Sequence, residues 1–209
     1  MGMPGAGKGT QAALLAESLG SPHVSTGDIL RDAVRDGSGL GKKVRPHVEA
    51  GTLVPDELLR ELVVERLSRP DARRGFVLDG YPRTVGQVEM LDRLLERNGT
   101  RLDRVFLLTA PAEEIVHRLS GRRVCPGCGA VFHVNNRPPK SAGVCDRCNS
   151  ALVQRSDDRK QVVLERLEVY GKETLPLTKA YSDRGLLHEV NGTGHPQVVF
   201  ARLQAGLEG

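Results

Sequence analysis

Positions 2–11 read G-M-P-G-A-G-K-G-T-Q, and this glycine-dense string narrows the possible folds more than anything after it. Gly2, Gly7 and Lys8 match the G-x-x-x-x-G-K spacing of a phosphate-binding loop, and Gly5 and Gly9 make the match denser. Glycines let consecutive backbone N–H groups turn inward onto phosphate oxygens. The helix that follows adds its positive end, and Lys8 adds a mobile full charge. Apolar spacing predicts that helix over Gln11 to Leu19. Such a loop ordinarily follows a buried strand. Only Met1 stands before it here, so the first strand is expected to be missing from the chain as written, with the start several codons upstream. The hydroxyl residue that usually follows the lysine is replaced by Gly9, with Thr10 one place later, which puts direct hydroxyl ligation of magnesium in doubt.

The rest of the chain alternates between strand and helix signals. Ser25 and Thr26 offer helix caps, with a helix to about Asp36. Gly37 to Gly39 break it, and a second short helix runs from Gly41 to Ala50. Pro55-Asp56-Glu57 opens another, whose apolar face is Leu58, Leu59, Leu62, Val63 and Leu67. Phe76 to Leu78 reads as a buried strand ending at Asp79-Gly80, and Thr84 to Arg97 as an amphipathic helix. Arg104 to Ala110 is the clearest strand, and Pro111 opens the helix after it. A long helix is expected from Asp157 to about Gly171, then a strand at Leu186 to Val190 and a last helix. Short apolar strands between helices mean a parallel sheet covered on both faces, with ligands beyond the carboxyl ends of its strands.

Cys125 and Cys128 form one C-x-x-C, and Cys145 and Cys148 another. That spacing is a zinc-ribbon pattern, in which two tight knuckles supply four thiolates to a tetrahedral ion. Pro126, Gly127 and Gly129 permit the first turn. The stretch from about Val124 to Leu152 is too poor in apolar residues to build its own core, and zinc supplies that folding energy. Four thiolates leave no open position for water, so the metal is structural. His133 reads as a surface loop histidine rather than a ligand.

Composition closes off several classes. The 209 residues carry 39% hydrophobic and 27% charged side chains with net charge +4, ordinary for one globular domain with insertions. Aromatics at 3% leave the core to Leu, Val and Ala, and withhold the platforms that single-stranded nucleic-acid binding needs. The net positive charge alone would allow a zinc-ribbon nucleic-acid binder, but the basic residues fall at the expected cleft. The longest apolar runs, such as Val105 to Leu108, are far below the roughly 20 residues of a membrane helix. The glycine-rich start is not a secretory signal, and Ala6 stands where a myristoylation motif wants Ser or Thr. A cytoplasmic protein with no membrane and no nucleic-acid partner is expected.

Arginines are the largest chemical signal left: Arg31, Arg83, Arg118, Arg122, Arg123, Arg155 and Arg166 sit near the expected cleft or the cysteine segment. Arg118 and Arg122, four apart, are expected on one helix face. Several lie in marked strings: STGDILR at 25–31, LDGYPRT at 78–84, GRRVCPGCG at 121–129 and RSDD at 155–158. Together with the glycine loop, these strings resemble an adenylate kinase of the bacterial long-lid type with a zinc-binding lid, over nearly the whole chain.

The resemblance implies an α/β, P-loop NTPase-like fold: a five-stranded parallel sheet with helices on both faces, the truncated first strand at its centre. It implies a core of 1–24, 55–120 and 159–209, an AMP-binding insert at 25–54 and a zinc-binding lid at 121–158. The reaction would be reversible phosphoryl transfer from ATP·Mg²⁺ to AMP, giving two ADP, by a monomer; a UMP- or CMP-type kinase is the nearest alternative, and a weakly active truncated relative another. Gly5, Ala6, Gly7, Lys8, Gly9 and Thr10 would wrap the ATP phosphates, with Arg122, Val131, Phe132 and Gly194 also toward ATP. Thr26, Arg31, Thr52, Leu53, Val54, Gly80, Tyr81, Pro82, Arg83 and Gln87 would form the AMP site, Gln87 reading the adenine edge. Lys8, Arg83, Arg118, Arg122, Arg155 and Arg166 would carry catalysis, with Arg118, Arg155 and Arg166 closing over the phosphates and Arg155 and Arg166 also binding substrate, and Asp79 would hold magnesium through its water shell.

Overall fold

Helices and short strands alternate as the patterning requires in the computed structural model, which describes residues 1–208. Helix α1 (Lys8–Leu19) starts three residues earlier than the apolar spacing indicates, because Gly7 takes the N-cap in a left-handed conformation (φ 98°). A strand follows, β1 (His23–Ser25), and Ser25 then caps α2 (Thr26–Arg35) through a bond from the Asp28 N–H. Next come α3 (Gly39–Ala50) and α4 (Asp56–Leu67), then strand β2 (Val77–Asp79) and helix α5 (Val85–Arg97), capped by Thr84. Strand β3 (Val105–Thr109) leads into α6 (Ala112–Ser120). The antiparallel strands β4 (Arg122–Val124) and β5 (Val131–His133) open the cysteine segment.

The long helix expected over 157–171 is interrupted. A 3₁₀ turn covers Ser156–Asp158, α7 runs over Lys160–Val169, a π turn over Tyr170–Thr174, and α8 over Leu177–Asp183. Asp157 and Asp158 turn inward to ion pairs at the first break, and Thr174 donates to the Arg83 carbonyl at the second (3.1 Å), so tertiary bonds override the local helix ladder. Strand β6 (Leu187–Asn191) and helix α9 (Pro196–Glu208) complete the fold.

The chain is a mixed α/β structure, but the continuous five-stranded sheet is not formed among the described residues. Strands β1 and β2 pair in parallel with His23 opposite Val77, and β3 and β6 pair in parallel with Val105 opposite Leu187. Met1 and Gly2 add a single parallel rung against Leu108 of β3, with the Leu108 N–H donating to the Met1 carbonyl (3.0 Å) and the Met1 amine to the Phe106 carbonyl. Pro4 then turns the chain into the loop, and among the described residues no strand lies between β2 and β3 to join the two pairs. A cavity of about 1130 Å³ separates them, walled by Val77, Leu78, Val105 and Phe106 from the strands and Leu15 and Leu203 from the helices.

The apolar packing is as aliphatic as the composition requires. One cluster joins Val24, Leu30, Val44, Val63 and Leu91 under the second and third helices; another joins Leu15, Leu108, Val190 and Leu203. Burying a Leu or Val side chain contributes roughly 1.5–3 kcal/mol. The cysteine segment has only Cys125, Ala130, Phe132 and Cys145 as its buried cluster, with Leu152 beside it. Among the described residues no helix is long and apolar enough to cross a membrane.

Candidate phosphate cleft and cysteine knuckles

Lys8 lies at the bottom of the cleft and folds back over its own loop, its ammonium donating to the carbonyls of Gly2 (2.7 Å) and Met3 (2.8 Å). Burial lowers its pKa to about 7; Asp79 opposes that shift, while Arg83, Arg166 and Arg122 add to it. Asp79 ends β2, where the apolar run of the sequence stops. A Cβ on Gly9 would lie 3.2 Å from Asp79 Oδ2, so the loop and this carboxylate approach as closely as glycine allows. Burial works against the charge on Asp79, but the His23 ring (3.6 Å away) and Lys8 outweigh it and hold the carboxyl below its ordinary range.

Above Lys8 the arginines converge. Arg83 Nε donates to the Gly80 carbonyl (2.7 Å), and burial together with the charge of Arg166 lowers its pKa to about 10. Arg166 pairs with Asp157 at 2.9 Å, and Arg122 pairs with Asp158 through two nitrogens. Arg31 reaches from α2 to Asp157 (3.8 Å) and Asp28 (2.7 Å), and Arg155 reaches Asp28 at 3.7 Å. Burial and the fields of Arg31 and Arg122 bring Arg155 down to about 10. Asp157 pays for its burial with the fields of Arg166, Arg31, Arg122 and Arg155, which keep its carboxyl below the ordinary range. Two atoms in this network, Arg155 Nε and Asp157 Oδ1, are buried with no hydrogen-bond partner. Among the described residues, no carboxylate lies within ion-pair distance of Lys8 or Arg83. Lys8 and Arg83 thus feel the field of Asp79 without a paired carboxylate, an arrangement that an incoming anion would complement.

Most of the residues expected at the AMP site line one narrow cavity of about 60 Å³: Thr26, Arg31, Thr52, Leu53, Val54, Gly80 and Arg83. Pockets that hold ligands run to roughly 300–1,000 Å³, so this cavity is well below ligand size in this structure. Gln87 does not line this cavity. It is 2% exposed and both ends of its amide are bonded, to the Arg83 N–H (2.7 Å) and to Asp56 (2.6 Å). Tyr81 is buried, its hydroxyl donating to the Gln87 carbonyl (3.2 Å), and Pro82 is buried beside it.

Arg118 is placed apart from this cluster. It pairs with Glu114 (2.8 Å) and donates to the carbonyls of Ala6 (3.3 Å) and Gly192 (2.9 Å), tying the glycine loop to the turn after β6. It does not share a helix face with Arg122, because α6 stops at Ser120 and Arg122 begins a strand. Gly194 sits in the turn between β6 and α9 with φ 105° and open space around it. Val131 is exposed, whereas the Phe132 ring is buried among the cysteines, leaving only its backbone for contact with a ligand.

The four cysteine sulfurs lie within 4.8 Å of one another, with Cys125 and Cys148 at 3.3 Å and Cys128 and Cys145 at 3.5 Å. Sulfurs held about 2.3 Å from a central ion at tetrahedral angles stand roughly 3.8 Å apart, so the set fits a tetrathiolate metal site, and all four thiols are free. The two knuckles have the same construction: Cys125 N–H bonds Ala130 and Gly129 N–H bonds Cys125, while Cys145 N–H bonds Ser150 and Asn149 N–H bonds Cys145. Gly129 and Asn149 occupy the equivalent left-handed position, φ 72° and 59°. Hydrogen bonding with the Ser150 side chain and backbone lowers the Cys148 thiol to about 6, which favours the thiolate a metal would take.

His133, expected on the surface, is 9% exposed. Its Nδ1 accepts the Asn135 (3.1 Å) and Asn136 (3.0 Å) N–H groups, so Nε2 carries the proton toward the His117 carbonyl (3.1 Å). The ring fills space that a side chain at Gly121 would occupy, at the junction of α6 and β4. Sequence reasoning gave no role to Asp56, Asp157, Asp158 or Gln11. The last two acids of RSDD stood inside a quoted string, and Asp56 inside a helix-opening string, but their partners are far away in sequence. Gln11 is buried, donates to the Pro196 carbonyl (2.9 Å) and leaves Oε1 without a partner.

A profile of the family described as "Adenylate kinase" matches residues 1–186 of the chain. The adenylate kinase of Anaeromyxobacter dehalogenans is 52% identical over 201 residues, 96% of this chain and 94% of that one. That of Caldicellulosiruptor bescii is 51% identical over 187 residues (90% and 87%), and that of Caldanaerobacter subterraneus subsp. tengcongensis 46% over 209 residues (100% and 95%).

Proposed function

The chain belongs to the adenylate kinase family, and from that premise we propose how its own residues carry the reaction. The enzyme moves the γ-phosphoryl group of ATP, bound with Mg²⁺, to AMP, reversibly, giving two ADP. Such a transfer passes through a loose transition state with charge spread over the equatorial oxygens, so the protein's work is positioning and electrostatic stabilisation. The AMP phosphate is already an anion and needs no general base. Two polyanions must instead be brought together against their repulsion.

In this reading Gly5 to Thr10 present backbone N–H groups to the ATP phosphates, and Lys8 leaves its loop carbonyls to follow the moving group. Arg83 and Arg31 clamp the AMP phosphate, with Thr26 and the 52–54 backbone around its nucleoside and Gln87 at the adenine edge. Arg122, Arg155 and Arg166 close from the other side, trading the carboxylates of Asp157, Asp158 and Asp28 for phosphate oxygens. Arg118 fixes the loop floor. Asp79 would hold magnesium through its water shell, and the ion would neutralise charge on the ATP phosphates. The core comprises 1–24, 55–120 and 159–209, the AMP insert 25–54 and the lid 121–158. Cys125, Cys128, Cys145 and Cys148 would bind zinc, which would make the lid a rigid body so that closure is a hinge motion that excludes water. The family resemblance adds a cytoplasmic, monomeric enzyme.

The observation that carries the proposal is the pair of buried basic side chains, Lys8 and Arg83, with no carboxylate within ion-pair distance in the middle of a cluster whose other arginines have one. The test is ADP production from ATP and Mg²⁺ with AMP, UMP or CMP, in the parent and in Arg83→Ala. AMP is expected to be preferred, and kcat/KM for AMP to fall roughly 10³-fold or more in the variant. A fall of less than tenfold, or equal turnover of UMP or CMP, would contradict the assignment.

A further inference from the structure

Gln87 is a primary amide, and an amide is ambiguous: a half-turn exchanges its donor and acceptor ends at almost no steric cost. In this protein the ambiguity is removed from both sides. The Arg83 N–H can only donate, and it meets Gln87 Oε1 at 2.7 Å. The Asp56 carboxylate can only accept, and its Oδ1 meets Nε2 at 2.6 Å. A flipped amide would face an oxygen with an oxygen and an N–H with an N–H. Asp56 is itself fixed: its Oδ2 accepts the Thr84 hydroxyl at 2.9 Å, and it opens α4, where the positive helix end favours a carboxylate. The backbone of α5 comes close here as well, since a Cβ on Gly86 would lie 3.1 Å from Oδ2.

These two bonds use one of the two Nε2 hydrogens and one of the two Oε1 lone pairs. The amide therefore keeps one donor and one acceptor, in a fixed order. Adenine offers the matching pair, a ring nitrogen that accepts beside an exocyclic amino group that donates. A 6-oxopurine presents an accepting oxygen in place of that amino group, so the held amide meets it with oxygen against oxygen. We propose that Asp56 is a specificity-determining positioning residue: by locking the flip state of Gln87 it makes the monophosphate site read a 6-aminopurine and reject a 6-oxopurine. This rests on the reading that Gln87 touches the base of the acceptor nucleotide. Asp56 touches no substrate and acts only through the amide.

The probe pair is AMP and inosine 5′-monophosphate, which differ only in the amino or oxo group at the purine 6-position and the N1 proton that goes with it. The readout is the ratio of their kcat/KM values at saturating ATP and Mg²⁺, measured below the melting temperature of every variant. In Asp56→Asn the new amide can meet either end of Gln87, and the AMP preference is expected to fall by roughly tenfold or more, chiefly through KM. Asp56→Ala, which offers neither pole, should also lower the ratio, while Asp56→Glu, which keeps an obligate acceptor, should restore part of it. A structural role alone would lower both nucleotides together, and an unchanged ratio in Asp56→Asn and Asp56→Ala overturns the proposal. Gln87→Glu separates the two levels of the argument. If it shifts the ratio while the Asp56 variants do not, Gln87 reads the base but Asp56 does not orient it. If neither position moves the ratio, the amide does not touch the base and the proposal falls with its premise.

Discussion

Removing the Asp158 side chain tests whether the arginine cluster is held together by its own carboxylates before substrate arrives. Its carboxylate is fully buried, bonded by two nitrogens of Arg122 and 3.8 Å from Arg166. Those two arginine side chains are only 19% and 17% exposed, so Asp158→Ala leaves a guanidinium largely out of water with no carboxylate in its place. Removing one partner of a buried pair costs about 3–5 kcal/mol. For a chain of this length each kcal/mol lowers Tm by about 2–4 °C, so calorimetry should find Tm lower by about 6–20 °C. Inorganic triphosphate should stabilise the variant more than the parent, since an added anion replaces the lost charge and binds only the folded state. A drop below about 3 °C, or no extra effect of triphosphate, would show that the pairs are solvent-screened and that Asp158 does not hold the cluster.

If the four cysteines hold zinc as proposed, a chelator, or Cys145→Ser, should lower thermal stability in the 121–158 segment while leaving the preference for AMP over other monophosphates unchanged; hydrogen exchange confined to that segment checks the first part and a nucleotide panel the second. Lys8 ordinarily holds its proton to pH 10.5 and in the fold releases it near 7. The unfolded chain therefore binds more protons between those values, and stability should rise with pH across that window; the same residue should take up a proton when triphosphate binds at pH 8, visible as a buffer-dependent binding enthalpy that Lys8→Met abolishes. In Gly41→Ala the added methyl would sit 1.9 Å from the Ala33 carbonyl oxygen, forcing α3 off α2. KM for AMP should rise at least severalfold with KM for ATP unchanged, and steady-state kinetics in both substrates would show otherwise if the insert were rigidly tied to the ATP site.

The parts of this protein written in local chemistry were legible before the structure. The glycine string at 2–11 announces a loop running into a helix, and α1 follows it, though from Lys8 rather than Gln11 because Gly7 takes the N-cap. The C-x-x-C pairs announce two knuckles, and they fold with matching hydrogen bonds. Strand β1 was invisible because three residues, His23 to Ser25, carry no period and Ser25 doubles as a helix cap. Position Arg122 was misread as helical because spacing cannot say where α6 stops; His133, which fills the space beside Gly121, marks that boundary. Asp157 stood in the sequence only as the start of an expected helix, with Asp158 beside it, and the fold brings Arg31, Arg122 and Arg166 around them. A single parallel sheet followed from the alternation of strands and helices, but joining β2 to β3 needs a strand between them, and Met1 and Gly2 supply one rung.

The central claim is that fixed cations transfer the phosphoryl group to AMP and that closure keeps water from competing. It is tested most directly by following ATP and ADP together with purified protein and Mg²⁺, with and without AMP. The account predicts two ADP formed per ATP consumed when AMP is present, and negligible ATP loss when it is absent. ATP consumed at a comparable rate without AMP, yielding one ADP and free phosphate, would contradict it.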